Sequence, residues 1–218
     1  MDDAGGRSER SRAIAAHVER YLGPIRHTYA DTDADTPIDV LHVGPTEERR
    51  YHTLITSGMS DRAMAVPAGT DAPRYLELMS TLPKAWDFGT GATEEGASLW
   101  PLRLLRRLSR WPQQANSWLG WGHTVPNGDP PEAFAPDTRL CGVIIVPSLV
   151  VPRRFYELAT EDRTVTFYSV VPLYKEEIEL KAEIGMERLL EKLIDREIDD
   201  VIQPRRKNVA RRRLLGLF

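Results

Sequence analysis

One short segment, Trp118 to Gly128, constrains the fold of this chain more than any other part of the sequence. Its sequence, WLGWGHTVPNG, combines two tryptophans and three glycines with a histidine, a proline and an asparagine. Glycine and proline interrupt helices and strands, and a tryptophan needs a surface to pack against. The segment therefore predicts either a shaped recognition surface or a folded loop held in place by its own aromatic rings.

The composition is typical of a soluble globular protein. Hydrophobic residues make up 41% of the chain and charged residues 28%, and the net charge is −3. This balance gives no overall attraction to nucleic acid or to an anionic membrane, and we expect neither as a partner. The polar start, Met1 to Arg7, lacks the apolar segment of a secretory signal, and no stretch has membrane-spanning length. We therefore expect a cytoplasmic protein.

Apolar periodicity predicts a single α+β domain with a central mixed β-sheet flanked by helices. A first helix is expected from Ser8 to the Gly23-Pro24 pair, which ends it. Because Leu140 to Val146 is apolar throughout, we expect that strand at the centre of the sheet. The predicted strands are Ile38–Val43, Tyr51–Thr56, Arg74–Met79, Leu140–Val146 and Thr164–Val171.

Two further helices are predicted. The first begins at Trp100-Pro101, since proline is well tolerated at the first helical position, and ends at Trp111-Pro112. Its inner stripe is Leu102, Leu105 and Leu108. The second is a long amphipathic helix, Tyr174–Glu197, which Gly185 bends or splits. The residues expected on its inner side are Ile178, Ala182, Met186, Leu189, Leu190, Leu193 and Ile194.

No linker is long enough to separate two domains. Residues 1–30 are expected to form a flexible segment, disordered over 1–7, and the first helix. Residues 31–209 form the main domain, and 210–218 form a basic and apolar tail. The basic run at 205–213 could contact nucleic acid, an acidic partner or a membrane surface, but a tail that is solvated or packed on its own domain is the favoured interpretation.

No metal or cofactor site is expected. The histidines lack metal-ligand spacing, so each is interpreted as a surface or hydrogen-bonded residue. The single cysteine, Cys141, falls in an apolar run and predicts a buried, inert thiol. Gly89 to Glu94 imitates a dinucleotide-binding loop, but Glu94 and Glu95 would repel a phosphate. The histidines are His17, His27, His42, His52 and His123.

One segment of the sequence fits either a nucleophilic site or a structural turn. The segment Gly58 to Arg62 begins like a nucleophile elbow, but Arg62 stands where that motif requires its second glycine. A triad of Ser60, His123 and Asp61 is conceivable. The favoured interpretation is that Ser60 and Asp61 cap a turn after a strand, so no catalytic residue is assigned.

Five tryptophans fall between positions 86 and 121. Most should lie in the core, where each can bury about 150–250 Å². Tryptophan is also enriched among the residues that dominate binding interfaces. We expect one or two of Trp111, Trp118 and Trp121 to be accessible.

Several segments, in order from about residue 40 to 209, resemble the Suppressor of fused family. Thr-Ser-Gly-Met-Ser and Gly-His-Thr-x-Pro-Asn are the most distinctive pieces. The segments that carry the resemblance are Thr53–Met64, Trp100-Pro101 with its leucine helix, Trp118–Asn127, Pro172–Glu177 and Asp200–Val209.

The resemblance implies a Suppressor of fused-like fold and a non-catalytic domain that binds another protein. Animal members sequester a transcription factor with a two-domain clamp, and this chain resembles only their N-terminal domain. Single-domain members look bacterial, which implies an immunity protein that neutralises a polymorphic toxin. The alternatives are a cytoplasmic scaffold that sequesters a regulator and, less favoured, a Ser/His hydrolase. Motif residues that could contact the partner are Met59, Asp61, Arg62, Trp118, Trp121, His123 and Asn127.

Because no catalytic or metal-ligating set is assigned, the segment Trp118 to Gly128 is interpreted as a structural signature of the fold. Trp118 and Trp121 are expected to pack inward, while His123 and Asn127 hydrogen-bond the turn. The acidic segment Asp31 to Asp39 is a candidate surface for a basic partner, since opposite charge speeds capture.

Overall fold

Eight strands form one mixed sheet in the computed structural model, which describes residues 3–32, 35–89 and 96–210. Along the sheet their order is β1-β2-β3-β4-β8-β6-β5, and β7 also pairs with β8. The pair β4 and β8 is parallel and every other pair is antiparallel. The strands are β1 Ile25–Tyr29, β2 Asp39–Val43, β3 Tyr51–Ser57, β4 Leu76–Pro83, β5 Thr124–Pro126, β6 Leu140–Val146, β7 Glu157–Ala159 and β8 Thr164–Tyr174.

Helices cover both faces of this sheet. Successive residues of a strand point to opposite faces, so strands that are apolar at every position are buried on both sides. In β3, Leu54 packs in the cluster under α2, and its neighbour Ile55 packs in the cluster under α1. Helices α3 and α4 cover a third cluster over β6 and β8. The helices are α1 Asp3–Leu22, α2 Trp100–Gln114, α3 Lys175–Ile184 and α4 Met186–Ile194.

The α+β fold with a mixed sheet is confirmed, as are the strands predicted in β2, β3, β6 and β8. The predicted helix does begin at Trp100, and its stripe of Leu102, Leu105 and Leu108 is buried. The strand predicted from Arg74 instead begins at Leu76 and continues to Pro83.

Two predictions about α2 and β6 were wrong. Helix α2 runs through Pro112 to Gln114, because a proline in the last turn forfeits only one helical hydrogen bond. Strand β6 is buried along its whole length, but it lies next to the edge strand β5 and not at the centre. Its burial comes from the helices on its two faces.

Gly185 divides the predicted long helix into α3 and α4. Its φ of 86° lies in the left-handed region, which ends one helix and turns the next. Leu189 and Leu193 are buried as expected, but Ala182 and Ile194 are exposed. Those two assignments were wrong because the break at Gly185 separates the helical phases of the two segments.

Helix α1 begins at Asp3, so the expected disorder over 1–7 is replaced by helix from residue 3 onward. Once a helix has nucleated, each further residue adds a hydrogen bond at little cost. The apolar part of the tail, 211–218, lies outside the described residues. Among the described helices, none combines the length and the apolar character needed to cross a membrane.

Candidate protein-binding surface

The Trp118–Gly128 segment forms a turn fastened to strand β6. The amide of Gly122 donates to the carbonyl of Ile145 at 2.7 Å, and the amide of Ile145 donates to the carbonyl of His123 at 2.9 Å. Gly122 has a φ of 79°, and a Cβ there would lie 2.0 Å from the sulfur of Met186. The positive φ and the close approach of Met186 both favour glycine here, and the two hydrogen bonds hold the turn against β6 beside α4.

The two tryptophans of this segment have different environments. Trp118 packs against the core, and its ring lies 4.1 Å from the ring of His123, which confirms its inward placement. Trp121 sits at the tip of the turn with 58% of its surface exposed, so the expectation that it packs inward was wrong. Burial, with the charge of Lys181, lowers the pKa of His123.

Asn127 organises the end of the same segment, as expected. Its amide nitrogen Nδ2 donates to the carbonyl of Glu132 at 2.7 Å, and its Oδ1 accepts from Arg107. Its backbone amide donates to the carbonyl of Cys141 at 2.8 Å. Asn127 thus fixes a loop to β6, and Cys141 is a buried free thiol, as predicted.

The Thr-Ser-Gly-Met-Ser segment surrounds a buried carboxylate, Glu77, which is 0% exposed. Its oxygens accept from the hydroxyls of Ser60 at 2.7 Å and Thr56 at 2.5 Å. They also accept from the amides of Ser60 at 2.9 Å and Gly58 at 3.0 Å. Burial raises the pKa of Glu77, and these four hydrogen bonds oppose that shift. This segment therefore stabilises a carboxylate in the core.

The residues of the conceivable triad have other partners. The hydroxyl of Ser60 is buried and donates to Glu77, whereas the ring of His123 packs at a tilt against that of Trp118. Asp61 accepts from Arg10 at 2.7 Å. A nucleophile must reach its substrate, and Ser60, which is 0% exposed, does not do so in this geometry.

Two further motif residues divide between core and surface. Met59 is 4% exposed and belongs to the main core cluster, so it is not available to a partner in this geometry. Arg62 is exposed, and its guanidinium donates to the carbonyl of Asp35 at 3.0 Å.

The acidic segment is partly structural. Asp31, whose side chain is 7% exposed, pairs with Arg110 and accepts from the amide of Ile38 at 2.8 Å. Asp35 is exposed. Asp33 lies outside the described residues.

Histidines 42 and 52 form a pair on adjacent strands. His52 Nε2 lies 3.3 Å from the carbonyl of Lys84, which can only accept, so His52 Nδ1 accepts from His42 Nε2 at 2.9 Å. Burial, with the nearby charges of His52 and His27, lowers the pKa of His42 to about 4. Over residues 3–32, 35–89 and 96–210, no cluster of three or more metal-ligating side chains is present.

The surface most suited to contact another molecule is an apolar groove beside Trp121. All three exposed large apolar side chains of the described chain lie around it: Trp121, Leu149 and Ile194, at 58%, 64% and 59% exposure. We call this surface the Trp121 groove; its volume is about 200 Å³. Its floor is formed by Ile144, Val146, Val171 and Leu193.

One end of the Trp121 groove is acidic. Asp200 is 1% exposed and accepts from the hydroxyl of Ser148 at 2.6 Å and from the amide of Leu149 at 2.8 Å, so it holds Leu149 at the rim. Burial raises the pKa of the neighbouring Asp199, and the charge of Asp200 adds to that shift. The groove therefore combines an apolar floor with two carboxylates.

Sequence reasoning missed Leu149 and Ile194 as surface residues. Leu149 follows Pro147-Ser148 in a run of apolar residues typical of a core, and Ile194 matched the inner stripe of an unbroken helix. The sequence did hold one signal for Ile194: Gly185 can break the helix, and a residue after such a break need not face the same side as the residues before it.

Comparisons with known proteins agree with this architecture. A family model, Suppressor of fused protein (SUFU), matches residues 34–207. No curated protein sequence shows a significant match. A putative SUFU homologue from Neisseria gonorrhoeae is structurally similar, with a TM-score of 0.69 at 13% identity, covering 93% of this chain and 97% of that one.

Two other solved structures are similar. The Sufu-Fu complex gives a TM-score of 0.66 at 16% identity, with 92% of each chain covered. Drosophila Suppressor of Fused gives 0.62 at 14% identity, covering 91% of this chain and 50% of that one. At these identities the structures show a shared fold, while the family model covers most of the sequence. The chain belongs to the Suppressor of fused family.

Proposed function

We propose that this chain binds another protein through the Trp121 groove. The observation that carries the proposal is the convergence of Trp121, Leu149 and Ile194 on one groove. Clustered exposed apolar side chains mark interaction sites, and tryptophan is enriched among the residues that dominate binding energy. Non-catalytic binding suits this surface, because most of the side chains that line the groove are apolar and can bury surface against a partner but cannot take part in bond cleavage.

The specific role we propose is that of an immunity protein, acting in the cytoplasm of the cell that makes the toxin. Support comes from the family membership and from the likeness to a compact bacterial homologue, almost all of which is covered by this chain. A stable neutralising interface buries about 1,600 Å² in total. The groove would supply its apolar centre, and the surrounding turn and α4 its rim.

The second candidate is a scaffold that sequesters a regulatory protein. It is favoured by the similar structure that contains Sufu in a complex with Fu. The same groove would serve either role, so the two candidates differ in the partner and not in the surface.

Co-expression tests the immunity role. Products of adjacent open reading frames are expressed with this protein, and growth is scored. We expect one product to be toxic alone and rescued by the wild type, while Trp121→Ala and Ile194→Asp reduce rescue. Arg188→Asp is the matched control, because Arg188 is exposed on the opposite side of α4 by helical geometry. Absence of toxicity from every neighbour would favour the scaffold.

A further inference from the structure

Helix α4 borders the Trp121 groove with carboxylates. Leu190 and Ile194 line the groove from this helix. Glu187 and Glu191 are exposed and lie about one turn apart, and we call this pair the acidic edge. At about 100° of rotation per residue, the two carboxylates lie about 40° and 80° round the helix from the middle of the groove lining, on the side away from the buried Leu193. They therefore stand at the outer rim of the groove.

The cations of α4 lie on its other side. Arg188 and Lys192 are exposed, and the same rotation places them about 140–180° from the groove lining. Glu187 and Glu191 are like charges at a spacing of four residues, which disfavours a helix. Within the described part of the chain, neither of these carboxylates forms an ion pair. The acidic edge is therefore available to a cation from another molecule.

The acidic edge is continuous with the apolar surface of the groove. A Cβ on Gly122 would lie 2.0 Å from the sulfur of Met186, so α4 begins against the turn that carries Trp121. Glu187 is the next residue of the helix. Towards the far end of the groove, the partly exposed Asp199 adds another carboxylate to the lining. A molecule that fills the groove therefore meets negative charge along α4 and beyond it.

We propose that the occupant of the Trp121 groove is a basic, amphipathic segment of the partner protein, in which a large apolar side chain stands beside lysines or arginines. This rests on the proposed function, because it names the chemistry of the partner that the groove binds. The apolar side chain would pack on the groove floor, and the cations would pair with Glu187 and Glu191. An arginine of the segment would also stack on the exposed indole of Trp121, since tryptophan is the aromatic residue that attracts cations most strongly.

Other occupants fit this arrangement less well. Nucleic acid and anionic membranes carry the same sign of charge as the acidic edge and would be repelled by it. A second copy of this chain, docked groove to groove, would bring its own acidic edge against this one, and like charges that face each other oppose association. A basic segment of another protein meets neither obstacle.

Selection from a peptide library tests the chemistry of the occupant. The probe is a phage-displayed library of short random peptides. Clones are kept if they bind the wild type and lose binding to Trp121→Ala, so that each retained clone depends on the groove. We expect these clones to contain lysine and arginine at least twice as often as the unselected library does, next to a large apolar residue.

A matched pair of double variants tests the acidic edge. One variant combines Glu187→Gln with Glu191→Gln, and the control combines Glu47→Gln with Glu48→Gln. Glu47 and Glu48 are exposed on the loop between β2 and β3, and β3 lies three strands away from β6 in the sheet. Both variants lose the same charge and should melt like the wild type. At low salt, the best groove-dependent peptide should bind the acidic-edge variant at least fivefold more weakly than the wild type, and the control within twofold.

Salt and peptide composition provide two further checks on the same peptide. The loss in the acidic-edge variant should shrink at high salt, because counterions screen exposed charges. A peptide with glutamine in place of every lysine and arginine should bind the wild type and the acidic-edge variant equally. Equal weakening of the original peptide by the two double variants would overturn the proposal, since the overall charge and not the acidic edge would then attract the peptide.

The library separates the preference for cations from the proposed function. Groove-dependent clones that are neutral or acidic would refute the basic partner and leave the Trp121 groove as a protein-binding surface. If no clone depends on Trp121, and the partner from the growth experiment binds the wild type and Trp121→Ala equally, the groove is not the contact surface. The proposed function then fails, and the basic occupant fails with it.

Discussion

The guanidinium of Arg206 contacts both carboxylate oxygens of Glu177, at 2.7 and 2.6 Å, and the two side chains are 4% and 0% exposed. The same carboxylate accepts from the amides of Tyr174 and Val209. Glu177 therefore caps the start of α3 and also holds the segment that follows α4. Two of the family-like segments, Pro172–Glu177 and Asp200–Val209, meet in this buried ion pair.

Breaking this ion pair should destabilise the fold strongly. Arg206→Ala leaves a buried carboxylate without its cation, and removing one partner of such a pair costs about 3–5 kcal/mol. Urea denaturation should show this loss. Arg205→Ala is the control, since Arg205 is exposed, and it should change the free energy of unfolding by less than about 0.5 kcal/mol. Equal losses for the two variants would contradict a structural role for the pair.

Glu77→Gln should also lower stability. An amide offers one acceptor oxygen, where the carboxylate offers two. If that oxygen keeps the bonds from the Ser60 and Gly58 amides, the NH₂ group takes the place of the oxygen that accepts from the Thr56 hydroxyl. We expect a loss of about 2–3 kcal/mol in urea denaturation. Glu161→Gln, on an exposed turn, provides the control and should be nearly neutral. A neutral Glu77→Gln would show that the Thr-Ser-Gly-Met-Ser segment is not built around this carboxylate.

His42 should make stability depend on pH. Its pKa is about 4 in the folded protein against an ordinary value of 6.5, so between these values the unfolded chain binds a proton that the folded protein does not. The free energy of unfolding should therefore fall as pH decreases from 6.5 towards 4. Between pH 7 and 4.5, wild type should lose about 2 kcal/mol more than His42→Gln in urea denaturation. If the free energies of unfolding of wild type and His42→Gln fall equally as the pH decreases, the assignment of this pH dependence to His42 is refuted.

Asp31→Asn should act on stability and not on partner capture. The substitution removes the charge that pairs with Arg110 in a largely buried site, and we expect a loss of about 2–3 kcal/mol. Thermal melts compared with Asp35→Asn, an exposed neighbour, provide the check. If Asp31→Asn melts like wild type yet slows association with the partner, the acidic segment is a capture surface after all.

The central strands were predictable because their apolar residues are continuous and flanked by turn signals. Strand β1 was missed, since its sequence, Ile-Arg-His-Thr-Tyr, is polar and its central residues are exposed at the sheet edge. The cages around Glu77 and Glu177 were also missed. Their donors lie up to 32 residues away along the chain, and no local pattern reports such pairing.

The candidate site could be predicted only in part. The sequence pointed to Trp118–Gly128, but it could not show which indole faces solvent. That depends on the close contact of Gly122 with Met186 and on the bonds to Ile145, both of which are long-range. Of the motif residues, Trp121 lies at the groove rim, while Trp118, His123 and Asn127 hold the turn beside it.

The most direct test compares melting temperature and partner dissociation constant for His123→Ala and Trp121→Ala. His123→Ala removes the ring that packs on Trp118, so it should lower the melting temperature by several degrees while leaving affinity within about threefold once folded. Trp121→Ala removes an exposed side chain, so it should leave the melting temperature nearly unchanged and weaken binding at least tenfold. Wild-type affinity in folded Trp121→Ala, with binding lost in folded His123→Ala, would contradict the assignment of the Trp121 groove as the contact surface.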